Sequence, residues 1–284
     1  MAQRKDGRAE ETITSRIQAL KQVARTTNIN DPEQVKEFLA DSKWCSRTKT
    51  KFIDTYTVYL KFKGTTWNKP KYMQTAKLPF IPTEQEIDTL ISGCAKLTAT
   101  VLQTLKETGI RIGELVLLEW INLDTERRTL NITPEKNSNP RILPVSNKLI
   151  GMINNLPKNR PTIFQPRKNM LREYFSTQRK ALALKLNSPR LMKITFHTLR
   201  HWKGTMEYHR THDIMHVKQL LGHKDIESTL VYINIESALF LSGSDEWTSK
   251  VALNATEACQ LIDVGFEYVT GEYTDGGKLF RKRK

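Results

Sequence analysis

The sequence predicts a mostly α-helical protein that carries a small β-sheet and is divided into two domains. Three observations lead to this prediction. Apolar residues recur at helical spacing along most of the 284 residues, they alternate as in strands in a short central stretch and in the tail, and a proline-rich segment interrupts the helical pattern. With 38% hydrophobic and 26% charged residues, the chain has the composition of a globular protein.

Helical patterns predict a first domain over residues 1–75. The stretches "TITSRIQALKQVA", "DPEQVKEFLA" and "SRTKTKFIDTYTVYLKF" each place apolar residues on one face, and Asp31 followed by Pro32 is typical of a helix start. The stretch "KGTTWNKPKYMQTAKLPFIP", which ends at residue 82, contains three prolines and has no apolar periodicity. It therefore predicts an extended linker.

The first domain is strongly basic, and aromatic residues are interleaved with its cations. The residues predicted to bind DNA are Lys43, Arg47, Lys49, Lys51, Lys61, Lys63, Lys69 and Lys71. The whole chain carries 45 Lys and Arg against 30 Asp and Glu, a formal net charge of +15, which favours double-stranded DNA as the partner. The alternative is a basic protein that binds no nucleic acid.

Residues 83–284 predict a second domain. Thr83 and Glu86 have the spacing of a capping box, and further helices follow, among them "RIGELVLLEW". The alternating runs "RTLNI" and "RILPV" predict a β-hairpin with Lys136 near its tip. Helices return after the hairpin, and the tail 237–284 ends in a predicted two-stranded ribbon that turns at Asp275-Gly276-Gly277.

The sequence also restricts where the protein acts. It contains no apolar run of transmembrane length and no hydrophobic stretch near its start that would indicate a signal peptide. Its three cysteines, Cys45, Cys94 and Cys259, lie far apart, which disfavours a disulfide framework. We therefore expect a cytoplasmic protein, associated with the nucleoid and without a membrane partner.

All six histidines lie in one short window: His197, His201, His209, His212, His216 and His223. Since His212 and His216 have the spacing of one helix face, a metal site is the first hypothesis to weigh. Metal-dependent phosphodiester chemistry normally uses several carboxylates, and this window offers only Glu207 and Asp213 among many cations. A catalytic metal is therefore disfavoured, and no cofactor is predicted.

Two short motifs precede or open this window. His197 and Arg200 form His-x-x-Arg in "FHTLRHW". Arg111 and Glu114 form Arg-x-x-Glu in "TGIRIGEL", although an ordinary surface ion pair also explains that spacing. The order along the chain is more specific: an arginine, a hairpin lysine, His-x-x-Arg, the Gly-His of "LLGH", and Tyr232 nine residues later.

This ordered set resembles the tyrosine recombinase (phage-type integrase) family. The resemblance runs from about residue 82 to residue 235, is weaker in the basic N-terminal module, and in the tail is closer to archaeal Xer-like or mobile-element members. It departs from the family pattern after "RH", and around Lys136, where flanking glycines are missing. It implies supporting roles for Glu114 and His201 and a catalytic set of Arg111, Lys136, His197, Arg200, His223 and Tyr232.

The resemblance implies a two-domain DNA clamp, in which a helical core-binding domain precedes the catalytic domain. It implies a homotetramer that cleaves and rejoins DNA at a specific recombination site through a 3′-phosphotyrosyl intermediate and a Holliday junction, for integration and excision or for dimer resolution. The residue types suit this chemistry, because two arginines can bind the developing phosphate charge and a lysine can protonate the leaving oxygen. The covalent intermediate conserves the phosphodiester energy, so neither ATP nor a metal is required.

Two alternative functions remain at this stage. A type IB topoisomerase uses the same chemistry but only nicks, swivels and reseals DNA, and the compact size and the "LLGH" spacing favour the recombinase. A DNA-binding protein with vestigial catalytic residues is the other alternative. Competent residue types at all six positions argue against it.

Overall fold

The computed structural model describes residues 7–74, 77–135, 138–240, 247–271 and 276–283. The chain divides into two compact units, residues 1–77 and residues 78–284. In the described residues of the first unit, the helices are α1 (Glu10–Val23), α2 (Pro32–Asp41) and α3 (Ser46–Phe62). Asp31 caps α2, as the sequence predicts: its carboxylate accepts hydrogen bonds from the backbone of Glu33 and Gln34.

An aromatic core holds the three helices together. Tyr56 is fully buried among Val35, Leu39 and Phe52, and its hydroxyl donates to the Ile29 carbonyl at 2.9 Å. Such packing stabilises helices that would be marginal alone.

Part of the predicted linker also belongs to this unit. Trp67 packs edge-on against Tyr56, with ring centroids 4.7 Å apart, and its indole N–H donates to Thr57 Oγ1 at 3.1 Å. The described part of residues 65–82 forms no helix or strand, and Trp67 attaches the start of this stretch to α3.

The second unit has a helical core. Its helices are α4 (Glu84–Gly93), α5 (Lys96–Thr108), α6 (Ile112–Leu115), α7 (Asn147–Asn154), α8 (Lys168–Lys185), α9 (Phe196–Thr211), α10 (Ile214–Leu221), α11 (Glu227–Phe240) and α12 (Ala255–Asp263). The predicted capping box at the start of α4 is confirmed: Thr83 and Glu86 exchange hydrogen bonds. Helix α5 lies at the centre, and residues 98–105 are all buried. In the described part of the chain, no helix has the length and apolar character needed to cross a bilayer.

The structure departs from the predicted helix "RIGELVLLEW". Helix α6 has a single turn, and the chain then runs alongside residues 161–163. The Trp120 N–H donates to the Pro161 carbonyl, and the Ile163 N–H donates to the Leu118 carbonyl. These pairings compete with further helix formation, so α6 ends after Leu115.

The predicted hairpin is confirmed and forms part of a three-stranded antiparallel sheet. Its strands are β1 (Leu123–Asp124), β2 (Thr129–Ile132) and β3 (Arg141–Pro144). Leu130 pairs with Leu143, and the alternation of buried and exposed residues along β2 places its apolar side chains in the core.

The tail contains more structure than the predicted ribbon. The expected strands β5 (Glu267–Thr270) and β6 (Lys278–Arg283) do pair antiparallel. A third strand, β4 (Trp247–Ala252), joins β6 on its other side, and helix α12 packs on the sheet through Ala258 and Leu261. Of the turn predicted at Asp275-Gly276-Gly277, Asp275 lies outside the described residues.

Candidate active site

Arg200 is the most deeply buried cation of the site. It lies on α9 with only 2% of its surface exposed, and its guanidinium donates to the carbonyls of Gly109 and Leu221, both at 2.8 Å. Gly109 ends α5 with φ +64, which glycine adopts without strain. Burial, and secondly the charge of Arg111, lowers the pKa of Arg200 to about 10, so the group stays cationic at neutral pH.

Arg111 is held by Glu114 and Ser138. It caps the N-terminus of α6, and its backbone N–H donates to Glu114 at 2.9 Å while its guanidinium donates to Ser138 Oγ at 2.8 Å. Glu114 is fully buried and forms a 2.7 Å ion pair with Arg141. Burial opposes ionisation of Glu114, but the hydrogen bonds from Arg141 and from the Arg111 backbone prevail and lower its pKa.

His223 follows the left-handed turn that ends α10. Gly222 has φ +69, and its carbonyl accepts hydrogen bonds from the Ser138 hydroxyl and from the Asn139 N–H. His223 Nδ1 lies 2.9 Å from Thr229 Oγ1. Burial, followed by the nearby charges of Arg200, Arg111 and Arg141, lowers the pKa of His223 to about 3.

Tyr232 lies on α11 and is almost fully buried, with 1% exposed. Its ring packs with Val217, Leu221 and Ile235 and against Gly204 of α9. Burial raises the pKa of Tyr232 to about 12, although the charges of Arg200 and Arg111 act in the opposite direction. The positive charges expected to favour the phenolate are therefore present, but burial outweighs them in this structure.

His197 and His201 lie one turn apart on α9, with ring centroids 4.5 Å apart. The Tyr232 hydroxyl lies 3.4 Å from His201 Nδ1. Burial is the main cause that lowers the pKa of both histidines, to about 4 for His201. Arg200 reinforces the effect at each ring, so both imidazoles are neutral at pH 7.

Arg111, His197 and Arg200 line one cleft of about 540 Å³. We call it the cationic cleft; among the described residues, it is also lined by Gly113, Glu135, Lys168, Arg172, Ser176 and Arg179. The sequence-predicted residues Arg111, His197 and Arg200 are thus brought together, and His223 and Tyr232 approach from α10 and α11. Lys136 lies outside the described residues, but its chain neighbours Glu135 and Ser138 contact this site.

The metal alternative rested on His212 and His216 sharing a helix face, and that expectation is wrong. His212 ends α9 in a left-handed conformation, whereas His216 lies on α10, because Asp213 caps a new helix between them. His216 Nε2 lies 3.5 Å from Glu207. No group of three or more potential metal ligands occurs among the residues that the structure describes.

The predicted DNA-binding residues of the first unit are exposed with one exception. Lys49 is buried, its ammonium group donates to the Ala40 carbonyl at 3.3 Å, and it lies 4.9 Å from the centroid of the Tyr72 ring. Lys49 therefore does not fit the prediction, because its charge is used inside the unit. The exposed members of the set are Lys43, Arg47, Lys51, Lys61, Lys63, Lys69 and Lys71.

The sequence analysis missed several residues that the structure brings to the site. Ser138 and Arg141 orient Arg111 and Glu114. Lys168, Arg172 and Arg179 contribute cations to the cationic cleft from α8. Their spacing along one helix face was a readable signal in "KNMLREYFSTQR", but nothing in the sequence showed that this face would point toward Arg111.

Comparison with known proteins identifies the class. Residues 82–238 match the model of the phage integrase family. The tyrosine recombinase XerA of Pyrococcus horikoshii is 25% identical over 235 residues, covering 79% of this chain and 78% of XerA. XerD of Brucella suis is 29% identical over 147 residues, covering 48% and 47%.

Solved structures agree in fold. The Tn1549 transposon integrase, in complex with transposon right end DNA, superposes with a TM-score of 0.64 at 15% identity and covers 84% of this chain and 96% of its own. A lambda integrase dimer bound to a COC′ core site gives a TM-score of 0.60 at 14% identity and covers 80% and 72%.

The chain therefore belongs to the phage integrase family, as the sequence predicted. It is a site-specific DNA recombinase of the tyrosine class. The proteins to which it is similar are recombinases and integrases, which favours this function over the topoisomerase alternative.

Proposed function

We propose that the recombinase cleaves DNA with Tyr232 as nucleophile and that Arg111, His197, Arg200 and His223 bind the scissile phosphate. The observation that carries this proposal is the convergence of Arg111, His197 and Arg200 on one cleft, beside a tyrosine whose hydroxyl lies 3.4 Å from a neutral imidazole. Two guanidinium groups would stabilise the charge that develops on the non-bridging oxygens.

The chemical step balances without a co-reactant. The Tyr232 oxygen attacks phosphorus, a 3′-phosphotyrosyl bond forms, and the bond to the 5′ oxygen breaks. His201 Nδ1 would accept the phenolic proton. Burial makes this imidazole a weak base, with a pKa of about 4, and the negative charge of a bound phosphate would raise that pKa toward a useful value. Attack by the freed 5′-hydroxyl reverses the step and reseals a strand, so no ATP or metal ion is needed.

The covalent link can be tested with a nicked suicide substrate, whose short strand diffuses away after cleavage. Tyr232→Phe is expected to bind DNA but to trap no covalent complex, because it lacks the attacking oxygen. Tyr208→Phe, on α9, is the matched control and should trap like wild type, with both reactions in excess EDTA. A covalent complex formed by Tyr232→Phe would contradict the assignment of Tyr232 as nucleophile. So would loss of the complex in Tyr208→Phe alone. If the wild-type protein is folded and binds DNA but never forms the covalent complex, the alternative of a DNA-binding protein with vestigial catalytic residues is favoured.

We propose that Lys136 is the general acid for the leaving oxygen. Support comes from its chain neighbours: Glu135 lines the cationic cleft, and Ser138 accepts a hydrogen bond from Arg111. Lys136→Ala is expected to slow cleavage by about 10²- to 10⁴-fold.

A substrate with sulfur at the bridging 5′ position separates this role from charge stabilisation, because a thiolate leaves without a proton. It should restore most of the rate of Lys136→Ala and little of the rate of Arg111→Ala. Equal rescue of both variants, or of neither, contradicts the role of Lys136.

We further propose that the exposed cations of the first unit bind DNA flanking the recombination site, forming a clamp with the catalytic unit, and that four protomers assemble on two DNA sites. The dense positive charge of residues 43–71 supports the first part. A lambda integrase tetramer bound to a Holliday junction, with a TM-score of 0.60, supports the second through the shared fold. Such a substrate would place the enzyme at the nucleoid in the cytoplasm.

A further inference from the structure

One face of α8 carries a row of hydrogen-bond donors toward the cationic cleft. Lys168, Arg172, Ser176 and Arg179 follow one another at intervals of four, four and three residues, which is the spacing of one helix face. All four line the same cleft as Arg111, His197 and Arg200. At about 1.5 Å per residue, the row extends roughly 16 Å. It is therefore longer than a single phosphate contact requires.

Arg179 differs from the rest of the row in its surroundings. Its Nη1 donates to the Ile194 carbonyl, and its guanidinium carbon lies 5.3 Å from the centroid of the Phe175 ring. Its Nε is buried and has no hydrogen-bond partner among the described residues. Burial lowers the pKa of Arg179. A buried charged donor left unsatisfied is unfavourable, and a shift of the guanidinium toward an anion in the cleft that Arg179 lines would satisfy it.

The contacts of Arg179 also connect it to the helix that carries the catalytic residues. Ile194 immediately precedes Thr195, the N-cap of α9, and His197 follows two residues later. Phe175 stacks on Phe196 at 5.0 Å between ring centroids. An anion bound by Arg179 would therefore lie next to the start of α9.

The cleft has room for more than the scissile phosphate. Its volume of about 540 Å³ equals that of roughly eighteen water molecules, more than one phosphate group occupies. Among its described lining residues, Glu135 is the one carboxylate, and it faces Lys168 at 3.7 Å. The anion that fits a row of donors in the same cleft as Arg111 is the continuous phosphodiester backbone of a DNA strand.

We infer that Arg179 is a substrate-positioning residue that binds the DNA phosphate next to the scissile one. The inference rests on the proposed active site, since it places the scissile phosphate at Arg111 and Arg200. Arg179 would hold the strand against the start of α9, so that the reacting phosphorus is fixed relative to His197 and Arg200.

The test measures single-turnover cleavage of suicide substrates in which one phosphate at a time is a neutral methylphosphonate. Arg179→Ala is expected to slow cleavage of ordinary DNA by about 10- to 100-fold, as for the loss of a hydrogen bond to a charged group. Neutralising the adjacent phosphate should slow wild type by a similar factor and should not slow Arg179→Ala further. Lys180→Ala, a change to an exposed neighbour outside the cleft, should show neither effect.

A purely structural role for Arg179 would give losses that multiply at every phosphate, and that result overturns the inference. If the losses from Arg179→Ala and from neutralisation fail to multiply at the scissile phosphate instead of at its neighbour, the assignment of Arg179 to the neighbouring phosphate is overturned. If thermal melting shows that Arg179→Ala is unfolded, Arg179→Lys serves instead, because it keeps the charge but lacks the buried Nε. Neutralising the adjacent phosphate should then slow Arg179→Lys less than it slows wild type. An equal slowing of the two proteins contradicts the inference.

The same experiment separates this inference from the proposed active site. Wild type that forms no Tyr232-dependent covalent complex overturns the active site and the inference together. Wild type that is trapped normally, with multiplying losses for Arg179→Ala, overturns the inference alone.

Discussion

The guanidinium groups of the site and its tyrosine are held by different kinds of contact. Arg111 and Arg200 are fixed by directed hydrogen bonds to Ser138 and to the carbonyls of Gly109 and Leu221. Tyr232 is held by apolar packing, and its hydroxyl has only a 3.4 Å contact with His201. The phosphate-binding part is thus already organised before DNA binds.

The tyrosine is buried and neutral in this structure. Its buried ring and raised pKa keep it neutral, and among the described residues it is not part of the lining of the cationic cleft. If Tyr232 is the nucleophile, as proposed, cleavage requires its hydroxyl to gain access to the phosphate, and DNA binding or assembly would supply that step. On this proposal, phosphate binding and delivery of the nucleophile are separate events.

The largest effect is expected from Arg200→Ala, which tests the contrast between the hydrogen-bonded arginines and the packed tyrosine. It removes a donor to the developing phosphate charge and leaves two buried carbonyls without a partner. We expect cleavage about 10²- to 10³-fold slower and a clearly lower melting temperature. Tyr232→Phe, measured in parallel, should lose all trapping with little change in melting. Equal melting of the two variants would contradict the contrast.

A smaller effect is expected from Gly204→Ala. A Cβ on Gly204 would lie 2.5 Å from Cζ of Tyr232, so the ring must shift. We expect about 1–2 kcal/mol lower free energy of unfolding, since overpacking exceeds the gain in helix propensity. If the tyrosine has to leave its packing to react, trapping should be as fast as in wild type or faster.

Gly151→Ala is the matched control for this change. Gly151 lies in α7, and a Cβ added to it would have no neighbouring atom within 4 Å among the described residues, so alanine should stabilise the helix slightly and leave trapping unchanged. Slower trapping in Gly204→Ala at unchanged stability would indicate that the packed tyrosine is already in its reactive position.

The last test concerns pH. The pKa of His223 is lowered to about 3, so the unfolded chain takes up a proton below its ordinary pKa of about 6.5 while the folded chain does not. The free energy of unfolding should therefore fall as pH drops from 6.5, by up to about 1.4 kcal/mol per pH unit from this residue. Denaturant titrations at pH 6.5, 5.5 and 4.5 measure the slope. His223→Gln should reduce the slope, while His197 and His201, whose pKa values are also lowered, keep part of it. A His223 imidazole that titrates near 6.5 by NMR would contradict the assignment.

The sequence predicted the helices, the hairpin and the family because these depend on local spacing. His197 and Arg200 share α9, and Thr83 caps α4, as their intervals require. It did not predict that α6 ends after one turn, because pairing with residues 161–163 is a tertiary contact. Nor did it predict that Lys49 would be buried, since burial of one lysine in a basic run depends on where Tyr72 returns to the helix.

The residues of the candidate site could be predicted from the sequence, but their burial and their neighbours could not. The order of Arg111, His197, Arg200, His223 and Tyr232 along the chain predicted the members that we propose for it. The burial of Tyr232 and the position of the α8 cations at the cationic cleft arise from packing between distant segments. Those features have no signature in sequence spacing.

The two carbonyl contacts of Arg200 have a consequence for how such a chain could decay over evolutionary time. Because Arg200 joins the end of α5 to the end of α10, a lineage that lost this arginine would lose folded protein along with activity. Replacement of Tyr232 by phenylalanine keeps the packed ring and removes only the hydroxyl, so on the proposed mechanism it would leave a stable DNA-binding remnant. Descendants that abandon catalysis should therefore lose the tyrosine first and retain the arginine, so an intact Arg200 alone is a poor marker of an active enzyme, whereas an intact Tyr232 is a good one.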